Sequence, residues 1–310
     1  MPVLVNTNSS TSKSSVPIKT PLTLSWYAAP DSPDFTFSSG FAADGFHYIQ
    51  HTNDAIWRYD VKEKKYERLG TGNFTLHGNY SKLIWDEEND KVYSMTCDET
   101  RLIYVYVADN GIKGKGIEKP WFSSRYYLLN GFRLGQFYPI VWKSKIYTFG
   151  GIYNGGITNV VYEIDPTDNK FTWSQYSTLP ISVRYPNVTF DGVENVYTTS
   201  GSLTTSENLS NKFIKFNLRT KESTELPGPG HGFSGFGGYL NYVGNGKIHY
   251  AGGGIAFREM FYVDKNRWVR LEDSTTSKFA AGIYDLSEDS VHVHGGHIGR
   301  WNTYHHVHKM

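Results

Sequence analysis

The chain is predicted to be all-β, a six-bladed β-propeller closed by an N-terminal strand that completes the last blade. Three observations lead there. First, a hydrophobic-aromatic pair followed two residues later by a small-residue pair recurs at Phe46-His47…Gln50-His51, Val92-Tyr93…Thr96-Cys97, Ile146-Tyr147…Gly150-Gly151, Val196-Tyr197…Ser200-Gly201, Ile248-His249…Gly252-Gly253 and Val291-His292…Gly295-Gly296. Second, the copies are spaced by 46, 54, 50, 52 and 43 residues. A period of about 40–50 residues holding several short strands marks a blade, a unit that cannot bury both faces of its sheet alone. Third, the last copy ends at Met310 before a fourth strand, while Leu22-Thr23-Leu24-Ser25-Trp26-Tyr27 ahead of the first copy has a fourth strand's alternation.

Taken in order, each copy reads as four strands, with the recurring pair in the second. Third strands are Ile56–Asp60, Ile103–Tyr106, Val161–Asp165, Phe213–Asn217 and Phe261–Asp264, four of which end in Asp or Asn. Such a residue closes a turn by bonding its own backbone. Fourth strands, Tyr66–Leu69, Thr172–Gln175, Ser223–Leu226 and Trp268–Leu271, alternate apolar and polar residues as an outer strand with one wet face does. The stretch Asn110–Ile117, rich in glycine and lysine, reads as an exposed insertion in the second copy. Tyr304–Val307 is the third strand of the last copy, and the N-terminal segment closes the ring onto it, removing exposed edges. Residues 1–19 form a flexible tail, and 20–310 a single propeller domain.

The stretch Lys145–Gly151, then Val161–Asp165, then Phe171-Thr172-Trp173 resembles a nearly complete kelch repeat: strand, double glycine, tyrosine strand, turn, tryptophan strand. Gly252-Gly253 and Gly295-Gly296 keep the double glycine, whereas Gln50-His51, Thr96-Cys97 and Ser200-Gly201 replace it wholly or partly. The resemblance implies a kelch-like β-propeller over about residues 20–310. Physically, the double glycine lets backbone and rings approach where a side chain would collide. It is a packing device, and no phosphate-binding pattern accompanies it.

Composition excludes several classes. Thirty-one Lys plus Arg against 30 Asp plus Glu leave a net charge of +1 with no basic stripe, so neither nucleic acid nor an anionic membrane is an expected partner. No apolar run approaches a membrane span or a signal-peptide core, which predicts a cytoplasmic chain; five Asn-x-Ser/Thr sequons, at Asn8, Asn73, Asn79, Asn187 and Asn208, fit a secreted one if Met1 replaces a leader. The single cysteine, Cys97, precludes an intramolecular disulfide and, standing where other copies have glycine, reads as a small buried residue. The oligomeric expectation is a monomer or a weak homo-oligomer.

In an antiparallel blade the loop entering the innermost strand and the loop between the second and third strands share one end of the ring, where propellers bind ligands. From the entering loops, Arg184, Lys278, His231 and Arg133 are the candidate catalytic donors, and His77, Gln136, Tyr185, Phe233 and Phe279 candidate substrate contacts. From the other loops come Trp301 and Asp98, with His51, Glu99, Tyr153 and His297 alongside. His292 and His294, two apart in a strand, share a face, while His305 and His306 point oppositely. With no carboxylate or thiolate at a recognisable ligand spacing, these histidines are expected to fill strand positions, and neither metal nor cofactor is expected. Nucleophile-elbow, zincin-helix and dinucleotide patterns are missing.

The chemistry left open is shape- and donor-based. The lone kelch-like ring is similar in character to the fungal propeller-fold hetero-Diels-Alderases. That similarity implies a cofactor-free cyclase or isomerase in natural-product biosynthesis, with one asymmetric pocket for a hydrophobic small molecule. Such catalysis needs orientation and charge stabilisation, not a nucleophile. The alternatives are a carbohydrate-binding propeller lectin and a kelch-type protein-interaction module. Loops that differ from blade to blade favour a single pocket over a repeated sugar site.

Overall fold

The structure is a computed structural model that describes residues 26–28, 39–51, 55–70, 81–97, 103–109, 111–113, 121–128, 133–167, 170–199, 201, 211–229, 238–252, 257–273, 280–295 and 305–310. The tail at 1–19 lies outside them. Strand β1 (Trp26–Ala28) precedes the first sheet, β2 (Ser39–Ala43), β3 (Phe46–His51), β4 (Ala55–Asp60) and β5 (Lys65–Arg68). The second sheet is β6 (Lys82–Asp86), β7 (Lys91–Cys97), β8 (Ile103–Ala108) and β9 (Ser124–Tyr127). After β10 (Leu134–Gly135) come β11 (Tyr138–Trp142), β12 (Lys145–Phe149), β13 (Ile152–Tyr153), β14 (Gly156–Ile157), β15 (Val160–Asp165) and β16 (Thr172–Thr178). Of these, β11, β12, β15 and β16 form the third sheet, and β10, β13 and β14 a small patch of their own.

The fourth sheet is β17 (Val188–Phe190), β18 (Asn195–Thr199), β19 (Phe213–Asn217) and β20 (Ser223–Leu226). The fifth is β21 (Gly238–Tyr242), β22 (Lys247–Gly252), β23 (Phe257–Tyr262) and β24 (Arg267–Asp273). In the sixth, β25 (Ala281–Asp285), β26 (Ser290–His294) and β27 (His305–Lys309) are followed in space by β1, which pairs antiparallel with β27 as Trp26↔His308, Tyr27↔Val307 and Ala28↔His306. First strands touch in the order β2, β6, β11, β17, β21, β25, and β25 touches β2. The described residues contain no α-helix.

Strand alternation builds the core. Successive side chains point to opposite faces, so each sheet feeds two interfaces. Tyr93 and Met95 of β7 pack with Ile146 and Ile164 of the third sheet and with Leu134 of β10, while Val92 packs with Tyr48 and Ile56 of the first. The same pattern joins third to fourth through Phe149 and Phe216, fourth to fifth through Phe213 and Phe261, fifth to sixth through Met260 and Val293, and sixth to first through Ile283 and Ile49. Turn residues act as expected: Asp60 accepts the Glu63 N–H at 2.8 Å, Asp165 that of Thr167 at 2.8 Å, and Asn217 those of Arg219 and Thr220, each at 2.9 Å.

Of the second-copy insertion only residues 111–113 are described, and there Ile112 departs from the exposed loop expected while Lys113 is exposed. Ile112 is buried against Trp121 and Tyr106, and the Asp90 carboxylate accepts the Ile112 and Lys113 N–H groups at 3.0 and 2.9 Å. Ile112, set between a glycine and a lysine, is an apolar anchor for residues 111–113. The second sheet also has a fourth strand, β9, which the sequence reading left unassigned.

Buried Glu259 on β23 supplies a pH test. Its Oε2 has no hydrogen-bond partner among the described residues, and burial pushes its carboxyl up to about 7 despite Arg270 opposite. Folding therefore favours the protonated form. Between pH 4.5 and 7 the unfolded chain has released this proton while the native chain holds it, so stability falls as pH rises through that window. We expect Glu259→Gln to remove a loss on the order of 2–3 kcal/mol over that window. Urea melts at pH 4.5 and 8 check this; an unchanged pH slope in the variant refutes it.

Candidate functional site

The best-built loop at the end of the sheets is Val183–Tyr185, which enters β17. Gly150, just after β12, has φ +62°, and a Cβ there would lie 2.4 Å from the Val183 carbonyl oxygen. The Gly151 N–H donates to that same oxygen at 2.7 Å, and the Val183 N–H to Thr158 O at 3.1 Å. From the other side, a Cβ on Gly201 would lie 2.1 Å from Arg184 O and 2.5 Å from Tyr185 O. The loop is thus wedged between glycines of the third and fourth sheets, the packing role read for them in the sequence.

The wedge extends to the preceding entering loop. Tyr185 N–H donates to Gln136 O at 2.9 Å, and both residues adopt left-handed backbone, φ 52° and 58°. Beside them Gly135 pairs with Ile152 and Leu134 with Tyr153, so the entering loop of the third sheet and its loop between second and third strands meet in one patch. The shared end inferred from blade geometry is therefore present in this sheet.

Of the sequence-derived site residues, Arg133, Gln136, Tyr153, Arg184 and Tyr185 are described, Tyr153 half-buried on β13. Arg184 is half-buried, with its guanidinium carbon 5.6 Å from the Tyr185 ring centroid. Gln136 is half-buried, and its Oε1 is buried with no partner among the described residues. Arg133 is exposed. His77, Asp98, Glu99, His231, Phe233, Lys278, Phe279, His297 and Trp301 lie outside the described residues, as do the side chains of His51 and Cys97.

Two residues escaped the sequence reading. Lys82, the first residue of β6, holds its ammonium 4.7 Å from the ring centroid of Tyr138, the first residue of β11 and two positions beyond Gln136. Burial lowers the Lys82 amine to about 8 and pushes the Tyr138 phenol up to about 12. A desolvated lysine at a loop-bearing end is a functional candidate on physical grounds. In sequence its only signal is a charge opening the apolar run Leu83-Ile84-Trp85. Asn187, the one sequon among the described residues, is 6% exposed and donates its Nδ2 to Thr199 Oγ1 at 3.3 Å, so the folded chain does not offer it for glycosylation.

A second polar assembly lies between the first and sixth sheets. His47 on β3 places Nδ1 3.0 Å from His294 Nε2 and Nε2 2.9 Å from Asp285 Oδ2. Tyr66 Oη meets His294 Nδ1 at 2.8 Å. His292 Nδ1 lies 3.0 Å from His305 Nε2, and its Nε2 2.9 Å from Ser290 Oγ and 3.3 Å from Glu288 Oε2. Burial lowers His292 to about 3, His305 to about 2 and His294 well below its ordinary value, so the rings are neutral. Burial alone would raise Asp285, but hydrogen bonds from His47 and Ser287 hold it well below the usual carboxylate range. The shared face of His292 and His294 and the opposed directions of their neighbours follow the strand alternation: His308 instead approaches His249 of the fifth sheet, ring centroids 6.1 Å apart.

No family model matches this chain, and no curated protein matches it. A solved structure of YjhT is similar over 89% of this chain and 95% of its own, with a TM-score of 0.69 and 12% sequence identity. At that identity the likeness carries the fold alone, a propeller-type all-β architecture.

Proposed function

We propose that the chain is a six-bladed propeller, closed by the pairing of β1 with β27, that holds one pocket for a carbonyl-bearing hydrophobic small molecule and acts on it as a cofactor-free cyclase or isomerase. Six four-stranded sheets and the cyclic contact order of their first strands support the ring. The observation that carries the function is the linked set Lys82, Tyr138, Gln136, Tyr185 and Arg184, drawn from three consecutive sheets and fixed by the Tyr185–Gln136 backbone bond.

In this reading the Arg184 guanidinium donates to the carbonyl oxygen of the substrate. A permanent cation held beside a ring stabilises negative charge that develops there without reorganising. The Tyr138 and Tyr185 rings give flat walls against which an extended π system is oriented. Lys82, half neutral near pH 8, accepts or returns a proton at a carbon next to that carbonyl. Because the set differs from sheet to sheet, it describes one asymmetric pocket and not a site repeated around the ring. Stacking rings beside a cation also suit a saccharide, and that is the second reading.

A thermal-shift screen with two panels, carbonyl-bearing terpenoid or polyketide intermediates and mono- and disaccharides, separates the readings. We expect stabilisation by the first panel, a 10- to 100-fold affinity loss in Arg184→Ala, about the value of a charge-assisted hydrogen bond, and a turnover limb near pH 8 that disappears in Lys82→Met. Stabilisation by sugars alone would make the protein a lectin. Wild-type affinity in both variants would remove the pocket from this end.

A further inference from the structure

The geometry points to a divalent metal site of the zinc class at the seam between the first and sixth sheets, coordinated by one ring nitrogen from each of His47, His292 and His294. One nitrogen from each ring lies within 4.8 Å of those of the other two. All three rings are at most 2% exposed. Tetrahedral coordination at about 2.0–2.1 Å places ligand nitrogens about 3.3 Å apart. His47 Nδ1 and His294 Nε2, facing each other at 3.0 Å, are already close to that separation.

The outer partners are those that a metal-binding imidazole uses. A ligating histidine gives its other N–H to a carboxylate, hydroxyl or carbonyl, which fixes the tautomer and raises the basicity of the coordinating nitrogen. Ionised Asp285 can only accept, so His47 carries its proton on Nε2 and turns the Nδ1 lone pair towards His294. His294 meets the Tyr66 hydroxyl through Nδ1, which leaves Nε2 on the inner side. His292 has neighbours on both nitrogens, Ser290 and Glu288 at one and His305 at the other, so whichever coordinates, the second keeps a partner. Asp285 and Glu288 bring two carboxylates to the site, the second shared with the Lys309 ammonium.

The seam also leaves one buried imidazole nitrogen unmatched. His294 and His47 can be matched in a line from the Tyr66 hydroxyl to the Asp285 carboxylate. Among the described residues the second line, from Ser290 through His292, ends at His305 Nδ1, buried with no hydrogen-bond partner. A cation gives inward lone pairs a common acceptor. The site is buried, which suits a structural ion, and it joins residues 247 apart in sequence across the first and sixth sheets. Binding free energy there becomes folding free energy, so the ion acts as a clasp on the ring. This inference is independent of the proposed pocket and revises the sequence expectation that these histidines only fill strand positions.

The test uses the full chain, purified without a polyhistidine tag or chelator. Elemental analysis should find about one zinc, or another imidazole-preferring divalent ion, per chain. Stripping with a chelator should lower Tm by about 5 °C or more, with zinc alone restoring it, and Co²⁺ should give the visible absorption of a tetrahedral site. His294→Gln should abolish metal retention and the cobalt band, whereas His249→Gln, buried between the fifth and sixth sheets, should retain both. A metal-free native protein whose Tm ignores zinc overturns the site, as does stoichiometric zinc that survives in His294→Gln. If His294→Gln does not fold, the wild-type titrations still decide.

Discussion

A chain beginning at Ala29 in place of Met1 is expected to unfold about 6 °C or more below the full chain and to self-associate. The truncation removes β1, the fourth strand of the sixth sheet, whose three register pairs cover β27. Losing a few ladder hydrogen bonds at about 1 kcal/mol each removes on the order of 3 kcal/mol. In a domain of this size that is roughly 2 °C per kcal/mol. The loss does not stop there, because β27 is buried on both faces through His305, His306, Val307 and His308. Stripped of its neighbour, it offers an unpaired edge that templates pairing with another chain. Differential scanning calorimetry and light scattering on the two chains check both consequences. An unchanged Tm with a monodisperse truncated protein would mean that β1 does not hold the sixth sheet, and the closed-ring reading would fall with it.

The succession of four-stranded sheets was legible because its signals are local and repeated. A pair that recurs six times fixes where each second strand lies, and period-2 alternation fixes which residues face which neighbour, as in Val92 and Tyr93 packing to opposite sides. The glycines were legible for the same reason: Gly151 and Gly201 occupy equivalent points of the repeat and meet backbone there. What could not be read was set by contacts between blades. Nothing near Lys82 in sequence announces that the Tyr138 ring covers its amine, and nothing near His294 announces His47. Each pairing depends on how two sheets face each other, to which spacing within one repeat is blind. Ile112 was misread for a related reason, since the glycines and lysines around it dominate composition while one apolar side chain decides the packing. The candidate site was therefore half visible: the loops at Gln136 and Arg184–Tyr185 followed from repeat register, and their partners in the adjacent sheet did not.

Gly201→Ala is expected to weaken ligand binding more than its cost in stability explains. The added Cβ would stand 2.1 Å from Arg184 O and 2.5 Å from Tyr185 O, both backbone atoms that no rotamer change can move aside. Contacts below 3.0 Å are essentially never adopted, so the loop must retreat by about 1 Å. Overpacking of this kind costs about 1–3 kcal/mol. The retreat pulls on the bond from Tyr185 N–H to Gln136 O and so carries Arg184 out of line with the lysine and rings of the neighbouring sheets. A displacement of that size in a positioning group lowers turnover by up to about 100-fold. Gly228→Ala is the matched control: its Cβ would meet Asn211 O at 2.0 Å, an equally close backbone collision whose nearest atoms are all of Asn211 and none of the Arg184 loop. Both variants should melt lower by similar amounts, and only Gly201→Ala should lose the response to the panel that stabilises the wild type. If the two behave alike in binding as well as in melting, the wedged loop is structural and the pocket must be sought on another blade.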